Sequence, residues 1–242
     1  MNPEHIFFDL DNTLTPSKSP IRERDIPALR ALAGTKDVIV VSGHGEKDIR
    51  KYLGPQLAHV YHMLGANGNY AETKDGQVLW NNLLTPEQKR AILAFCQNIH
   101  DELAFKVRDE NDLIEDRDSQ ITYSLIGHHE DFRKKTEFDP GAVLRNKILA
   151  EHPDEVRILH DTGVDVVPGG TTGLDFFLAG HNKGVNVAHF IDRQKWNTED
   201  CLYVGDALFP GGNDACVIGV IPTHAVGGPD ETFEYIQECL LR

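Results

Sequence analysis

The chain has 242 residues, with 38 acidic against 24 basic side chains and a formal net charge of −14. That length allows one large domain or two small ones and a core without disulfide staples, and 40% apolar with 26% charged residues excludes a disordered polymer. The acidic balance excludes nucleic acid and anionic membrane surfaces as partners, since both are gripped by clustered lysines and arginines.

No apolar run approaches the roughly 20 residues of a spanning helix. The opening MNPEHIFFDLD has no basic region and turns acidic by residue 9, so it is not expected to be a secretory signal. Cys96, Cys201, Cys216 and Cys239 are scattered without a CxxC, which predicts reduced thiols in a cytoplasmic protein.

In chain order, HIFFDL at 5–10 predicts a strand. Asp25, a proline in the next turn and Gly34 predict a short helix between them. Val38–Val41 reads as a strand buried on both faces, 45–53 as a helix stopped by Gly54, and 60–64 as a third strand. Strand, helix, strand, helix, strand is the rhythm of a parallel α/β sheet. Residues 70–73 and 77–80 then flank Lys74-Asp75-Gly76 as a hairpin. Thr85-Pro86-Glu87-Gln88 forms a capping box, and its helix places Ile92, Phe95, Ile99 and Leu103 on one face. Strands are expected at 105–107, 121–125, 156–160, 164–167 and 174–178, with a helix capped by Asp139-Pro140 among them. The α/β rhythm resumes with a helix at 183–192, strands at 201–204 and 217–221, and a closing helix from Asp230. The expected fold is therefore α/β: a parallel-sheet core from residues 1–82 and 182–242, with an α+β module at 83–181 inserted into it.

Four places carry chemistry. Asp9 and Asp11, in FDLDNT, stand where the first strand runs out, and ligands of open α/β sheets sit at carboxyl ends of strands. One such carboxylate can act as nucleophile or metal ligand while its neighbour works as acid and base. A calcium loop is excluded, because its sixth and twelfth positions hold Leu14 and Pro20. Ser42 and Gly43 follow the second strand and offer a hydroxyl and free backbone N–H groups to a phosphate oxygen. Lys183 opens a helix, and GDALFPGGND at 205–214 ends another apolar strand with oxygen donors that suit Mg²⁺. Taken singly, each has a plainer reading: a solvated turn, a helix N-cap, a surface lysine, an ordinary Gly-Asn-Asp-Pro turn. His62 and the His128-His129 pair lack further spaced ligands and do not make a zinc site.

The order and placement of the four together resemble the haloacid dehalogenase-like phosphatase superfamily. DLDNT, VVSG, the Lys183 helix and GDALFPGGND stand as its four motifs in sequence. The insert between the second and third matches the branch with a type IIB cap, and within it the α-phosphomannomutases and similar bacterial hydrolases. That likeness extends through EDRDSQITYSLIG and GGTTGLDFFLAGHNKG in the cap. It implies a Rossmann-like core and cap closure. It also implies that Asp9 attacks phosphorus and that Asp11 is the acid and base. Mg²⁺ would be held by Asp9, the Asp11 carbonyl and Asp206. Asn213 and Asp214 would support the metal or Lys183, and Ser42, Gly43 and Lys183 would hold the phosphoryl group. In the cap, Arg117 stands where the mutases keep an arginine, His128 replaces another, Gly173 replaces a sugar-contacting serine and Asp175 keeps its companion acid. Lys18 replaces a core arginine after the first motif. Lysine cannot make arginine's bidentate fork on a phosphate, so the grip on a second phosphate is weakened. The expectation is a Mg²⁺-dependent phosphatase of a small sugar phosphate, with a hexose phosphomutase using the same aspartates as the alternative. A non-catalytic sugar-phosphate sensor is the reading from a different class. The resemblance also allows a homodimer through the cap.

Overall fold

The computed structural model describes residues 3–241. The first segment gives β1 (His5–Asp9), α1 (Ile26–Ala33), β2 (Asp37–Val41), α2 (Glu46–Leu53), β3 (His62–Gly65), β4 (Tyr70–Glu72) and β5 (Val78–Asn81). The middle segment gives α3 (Pro86–Leu103), β6 (Ile114–Asp116), β7 (Gln120–Ser124), α4 (Phe132–Phe138), α5 (Val143–Glu151), α6 (Pro153–Asp161), β8 (Val164–Gly169) and β9 (Gly173–Leu178). The last gives α7 (Lys183–Gln194), β10 (Cys201–Gly205), β11 (Thr223–Ala225) and α8 (Pro229–Tyr235). Contacts divide the chain into one unit running to Asn81 and resuming at His181, and a second unit from Asn82 to Gly180.

In the first unit one sheet runs β11-β10-β1-β2-β3-β4-β5. It is parallel from β11 to β3 and turns antiparallel at the β4–β5 hairpin. The parallel strands β1, β2, β3 and β10 are buried on both faces, as their apolar runs require, while the edge strand β11 stays largely exposed. Ile6, Phe8, Val38 and Val40 pack toward α1, α2 and α8, while Phe7, Ile39, Val41 and Tyr203 pack toward α7. β1 lies between β2 and β10, so the centre of the sheet is built from both ends of the chain.

The second unit is a four-stranded antiparallel sheet in the order β6-β7-β9-β8. Ile121, Tyr123, Leu174 and Phe176 point to one face and share a core with Ile92, Phe95 and Ile99 of α3, Ile148 of α5 and Leu159 of α6. The register puts Glu115, Thr122, Asp175 and Val167 side by side on the other face. Thr85 caps α3 with both bonds of the capping box. The structure thus has the α/β class expected, a parallel-sheet core with an inserted α+β cap.

Four local expectations change. Residues 105–107 form no strand; Phe105 instead packs edge-on against Phe138. Residues 156–160 lie in α6, where Pro153 occupies the first turn. The cap has four helices rather than two, α4 and α6 being added and α5 starting at Val143 beyond a Pro140–Ala142 turn. Residues 217–221 break at Gly219, whose φ is +86°, and the edge strand forms later, at Thr223–Ala225. All four cysteines are free thiols. Among the described residues no helix is long and apolar enough to cross a membrane.

Candidate active site

Parallel strands end together, so β1 and β10 deliver Asp9 and Asp206 to the same edge of the sheet. Asp9 is the last residue of β1, and its side chain is only 5% exposed. Lys183, at the first position of α7, donates from Nζ to Asp9 Oδ1 at 2.8 Å and to Asp214 Oδ1 at 2.6 Å. The lysine is itself 1% exposed. It is no surface lysine: it is a buried cation bridging two buried carboxylates. The start of α7 is held close to the Asp214 turn, since a Cβ on Gly184 would meet the Cys216 carbonyl oxygen at 2.0 Å. Asn182 caps the helix by accepting from the Val185 N–H.

Asp214 accepts from three donors. Tyr203 donates its hydroxyl to Oδ1 at 2.7 Å and the Ala207 N–H reaches Oδ2 at 3.3 Å. Gly205 permits this approach, because a Cβ there would stand 2.3 Å from Asp214 Oδ2. Asp206 is tied to the first motif through Thr13, whose hydroxyl donates to Asp206 Oδ1 at 3.4 Å and accepts from the Asp206 N–H at 3.1 Å.

Three carboxylates against one ammonium leave two negative charges around this cluster. Burial pushes the Asp9 carboxyl up to about 7, although Lys183 pulls it down and Asp214 and Asp206 add to the rise. Burial and then Asp214 also raise Asp206. Burial alone would lower Lys183, but the two carboxylates outweigh it and hold the ammonium charged. One oxygen each from Asp9, Asp206 and Asp214 lies within 4.8 Å of the others, a group able to hold a metal ion. The set is all oxygen and its surplus charge is that of a divalent cation, so the residues fit a hard metal such as Mg²⁺. Asp214 already accepts three donors, whereas Asp9 and Asp206 each accept one, so Asp9 and Asp206 have the most capacity left for a metal.

Asp11 sits one turn further on, beyond the strand. Lys18 donates its backbone N–H to Oδ1 at 2.6 Å, and His44 Nε2 lies 2.7 Å from Oδ2. Burial would raise its carboxyl, but the His44 hydrogen bond and charge together with the Lys18 N–H hold it below the ordinary value. Asn12 takes a left-handed φ of +55° here, and the N–H groups of Leu14 and Thr15 fold back onto the Leu10 carbonyl. Ser42 ends up buried at the close of β2, its Oγ accepting from the His44 N–H at 3.1 Å. Gly43 follows, facing the Asn67 side chain.

Of the core residues expected from the sequence, Asp9 and Asp214 are joined by Lys183, and Asp206 places an oxygen within 4.8 Å of both carboxylates. Asn213 does not join them: its side chain is exposed, and it makes no hydrogen bond with the cluster. Lys18 contributes its backbone N–H, with its side chain exposed. In the cap, Arg117 reaches Glu115 through Nε at 3.1 Å and Nη2 at 2.6 Å. His128 Nε2 lies 3.3 Å from the Thr122 carbonyl, with Nδ1 3.7 Å from Glu115. Asp175 accepts from the Thr122 hydroxyl at 2.7 Å and is raised chiefly by burial, against the pull of Thr122 and Arg117. These cap residues form one polar face of their own sheet. His44, Thr13, Tyr203 and Glu115 were not anticipated. Thr13 lies inside the first motif and His44 directly after the second, so both could have been found by position. Tyr203 is hidden in an apolar strand and gives no signal.

A family model described as haloacid dehalogenase-like hydrolase matches residues 6–218. Phosphomannomutase 1 of Dictyostelium discoideum is 26% identical, with 97% of this chain and 96% of that protein covered. Among solved structures, an IMP-bound mutant IMP-nucleotidase of Plasmodium falciparum superposes with a TM-score of 0.68 at 16% identity, covering 97% of this chain and 67% of that one. A haloacid dehalogenase-like hydrolase from Bacteroides thetaiotaomicron gives 0.66 at 14% identity, covering 97% and 98%. The structural likenesses speak for the fold, and the family match over most of the length speaks for the lineage. This chain belongs to the haloacid dehalogenase-like hydrolases and is an enzyme of that family.

Proposed function

We propose that the chain is a Mg²⁺-dependent phosphomonoester hydrolase of a small sugar phosphate, working through an aspartyl-phosphate on Asp9. The observation that carries this reading is the buried Asp9–Lys183–Asp214 bridge, with Asp206 beside it at the strand ends. Lys183 fixes one oxygen of Asp9 and leaves the other for bonding to phosphorus. Asp11, ionised in the resting site, takes up a proton as the anionic ester binds beside it, and donates that proton to the ester oxygen as the P–O bond breaks and the bond from Asp9 forms, so the sugar leaves as a neutral alcohol. Water then attacks the phosphorus, Asp11 takes a proton from it, and the Asp9–P bond breaks to release phosphate. Asp11 thereby recovers the proton it gave. Ser42, the Gly43 N–H and Lys183 hold phosphoryl oxygens. A bound Mg²⁺ would supply positive charge that offsets the negative charge of the transferring phosphoryl group.

Recognition of the sugar falls to Arg117, His128 and Asp175 of the cap, with the Lys18 side chain at the entrance to the core. The contact of Arg117 with Glu115 and the presence of His128 where the mutases keep an arginine favour hydrolysis over retention of a bisphosphate. A hexose phosphomutase is the second reading, favoured by full-length similarity to phosphomannomutase. The two separate in one experiment. Purified protein with Mg²⁺ should release phosphate from mannose 6-phosphate; efficient interconversion of mannose 1- and 6-phosphates, primed by a hexose bisphosphate and with little free phosphate, would reverse the order.

A further inference from the structure

His44 is part of no motif that carries the reaction, yet it touches two of them. Its backbone N–H donates to Ser42 Oγ at 3.1 Å, and its carbonyl accepts from the Ala66 N–H at 2.8 Å. The main chain at His44 is therefore fixed between the end of β2 and the turn after β3. The side chain, 9% exposed, packs edge-on against Tyr52 of α2, with ring centroids 5.2 Å apart. With its backbone and its flank both held, the ring presents Nε2 to Asp11 Oδ2 at 2.7 Å. Asp11 needs such support, lying beyond the end of β1 in a turn with a left-handed Asn12 and staying partly exposed where Asp9 and Asp214 are buried. The Lys18 N–H holds its other oxygen. Each oxygen keeps a second lone pair free for the proton it handles, since a carboxylate has about four acceptor positions.

We infer that His44 is a positioning residue for Asp11: its imidazole Nε2 orients the carboxyl group that exchanges protons with the leaving alcohol and the attacking water. The inference rests on the proposed role of Asp11 as acid and base. It also means that the loop binding the phosphoryl group and the group protonating the sugar oxygen are set by one rigid segment, Ser42-Gly43-His44. A misplacement of the carboxyl by a fraction of an ångström is costly where a proton must be delivered along a line.

The leaving group provides the test. The alcohol leaving from mannose 6-phosphate needs a proton, whereas p-nitrophenolate departs without one. In kcat/KM, which reports the step that expels the leaving group, His44→Phe should lose about 10–100-fold on mannose 6-phosphate and less than about threefold on p-nitrophenyl phosphate. Phenylalanine keeps the ring against Tyr52 while removing the donor. His44→Gln, whose amide can reach Asp11, should recover a large part of the loss on the sugar phosphate. Equal losses on both esters, or no recovery with glutamine, would overturn the inference. If His44→Phe melts well below the wild type, the comparison of His44→Gln with wild type decides the same question: a loss shared equally by both esters counts against the inference. Asp9→Asn, assayed alongside, distinguishes this failure from that of the parent reading, because an Asp9→Asn protein active on either ester would remove the covalent mechanism itself.

Discussion

The two ends of the central sheet carry the same kind of residue in opposite electrostatic states. At the leading ends of β1, β2 and β3, Asp37 is surrounded by His5, His62 and Lys74, with Lys74 Nζ at 2.9 Å and His5 Nδ1 at 3.0 Å. The neighbouring His62, Lys74 and His5 hold its carboxyl well below the usual range against the upward pull of partial burial. At the trailing ends, Asp9 shares one lysine with Asp214 and Asp206, and burial with that surplus of negative charge pushes it up. One end is a balanced ion network that fastens strands together. The other is left short of positive charge, an arrangement able to hold a cation. An imbalance that stability alone would select against is thus a physical pointer to function.

The sharpest way to break the contrast is Asp9→Asn. Turnover of any phosphate ester should fall below detection while circular dichroism and melting remain close to wild type, because an amide still accepts from Lys183. Lys183→Met comes next. It leaves Asp9 and Asp214 buried without their counter-charge, and a loss of about 3–5 kcal/mol is expected from breaking such a buried pair, read as a lower melting temperature together with near-complete loss of activity. Metal is the third probe. Chelation should silence phosphate release, and Mg²⁺ at about 100 times its dissociation constant should stabilise the protein by about 2.7 kcal/mol; in Asp206→Asn that gain should shrink severalfold. The smallest effect belongs to the balanced end. Asp37→Asn should leave kcat/KM unchanged and lower the melting temperature by a few degrees. Its pH dependence has a definite sign. A carboxyl whose folded value is depressed adds stability above its unfolded value, near 3.9, and that stability is lost as pH falls through the folded value. The gap between Asp37→Asn and wild type should therefore be full at pH 5–7 and close below about pH 4; a gap that widens in acid would contradict the balanced picture.

The core was legible because its chemistry and its architecture are local. Residues 6–8 (IFF) and 38–41 (VIVV) are unbroken apolar runs, and each is followed by a polar group, Asp9 and Ser42, that the parallel arrangement sends to one edge. Residues 156–160 misled because Val, Ile and Leu suit either period, and the deciding fact is Pro153 starting a helical turn that buries Leu159. The edge strand after β10 moved because the Pro222 carbonyl, and not the apolar run before it, accepts from the Tyr203 N–H at 2.9 Å. In the site, Asp9, Asp206, Asp214 and Lys183 could be read from motif order, whereas the partner of Asp11 could not. His44 gains its role from a turn and a neighbouring helix that bring it within reach, and that is tertiary information. The same holds for Glu115, whose contact with Arg117 depends on how the chain turns after β6.

The bridge from Lys183 to Asp9 joins residues 174 positions apart. At about 5–20 residues per second of synthesis, roughly 10–35 s separate the emergence of the aspartate from that of its lysine. β10, which completes the middle of the sheet, arrives later still. On the proposed mechanism a growing chain carries its aspartate pair long before it can use it, and a truncated product ending within the insert is expected to be inert. Catalytic competence waits for the segment that follows the insert, so activity doubles as a readout of translation past that point.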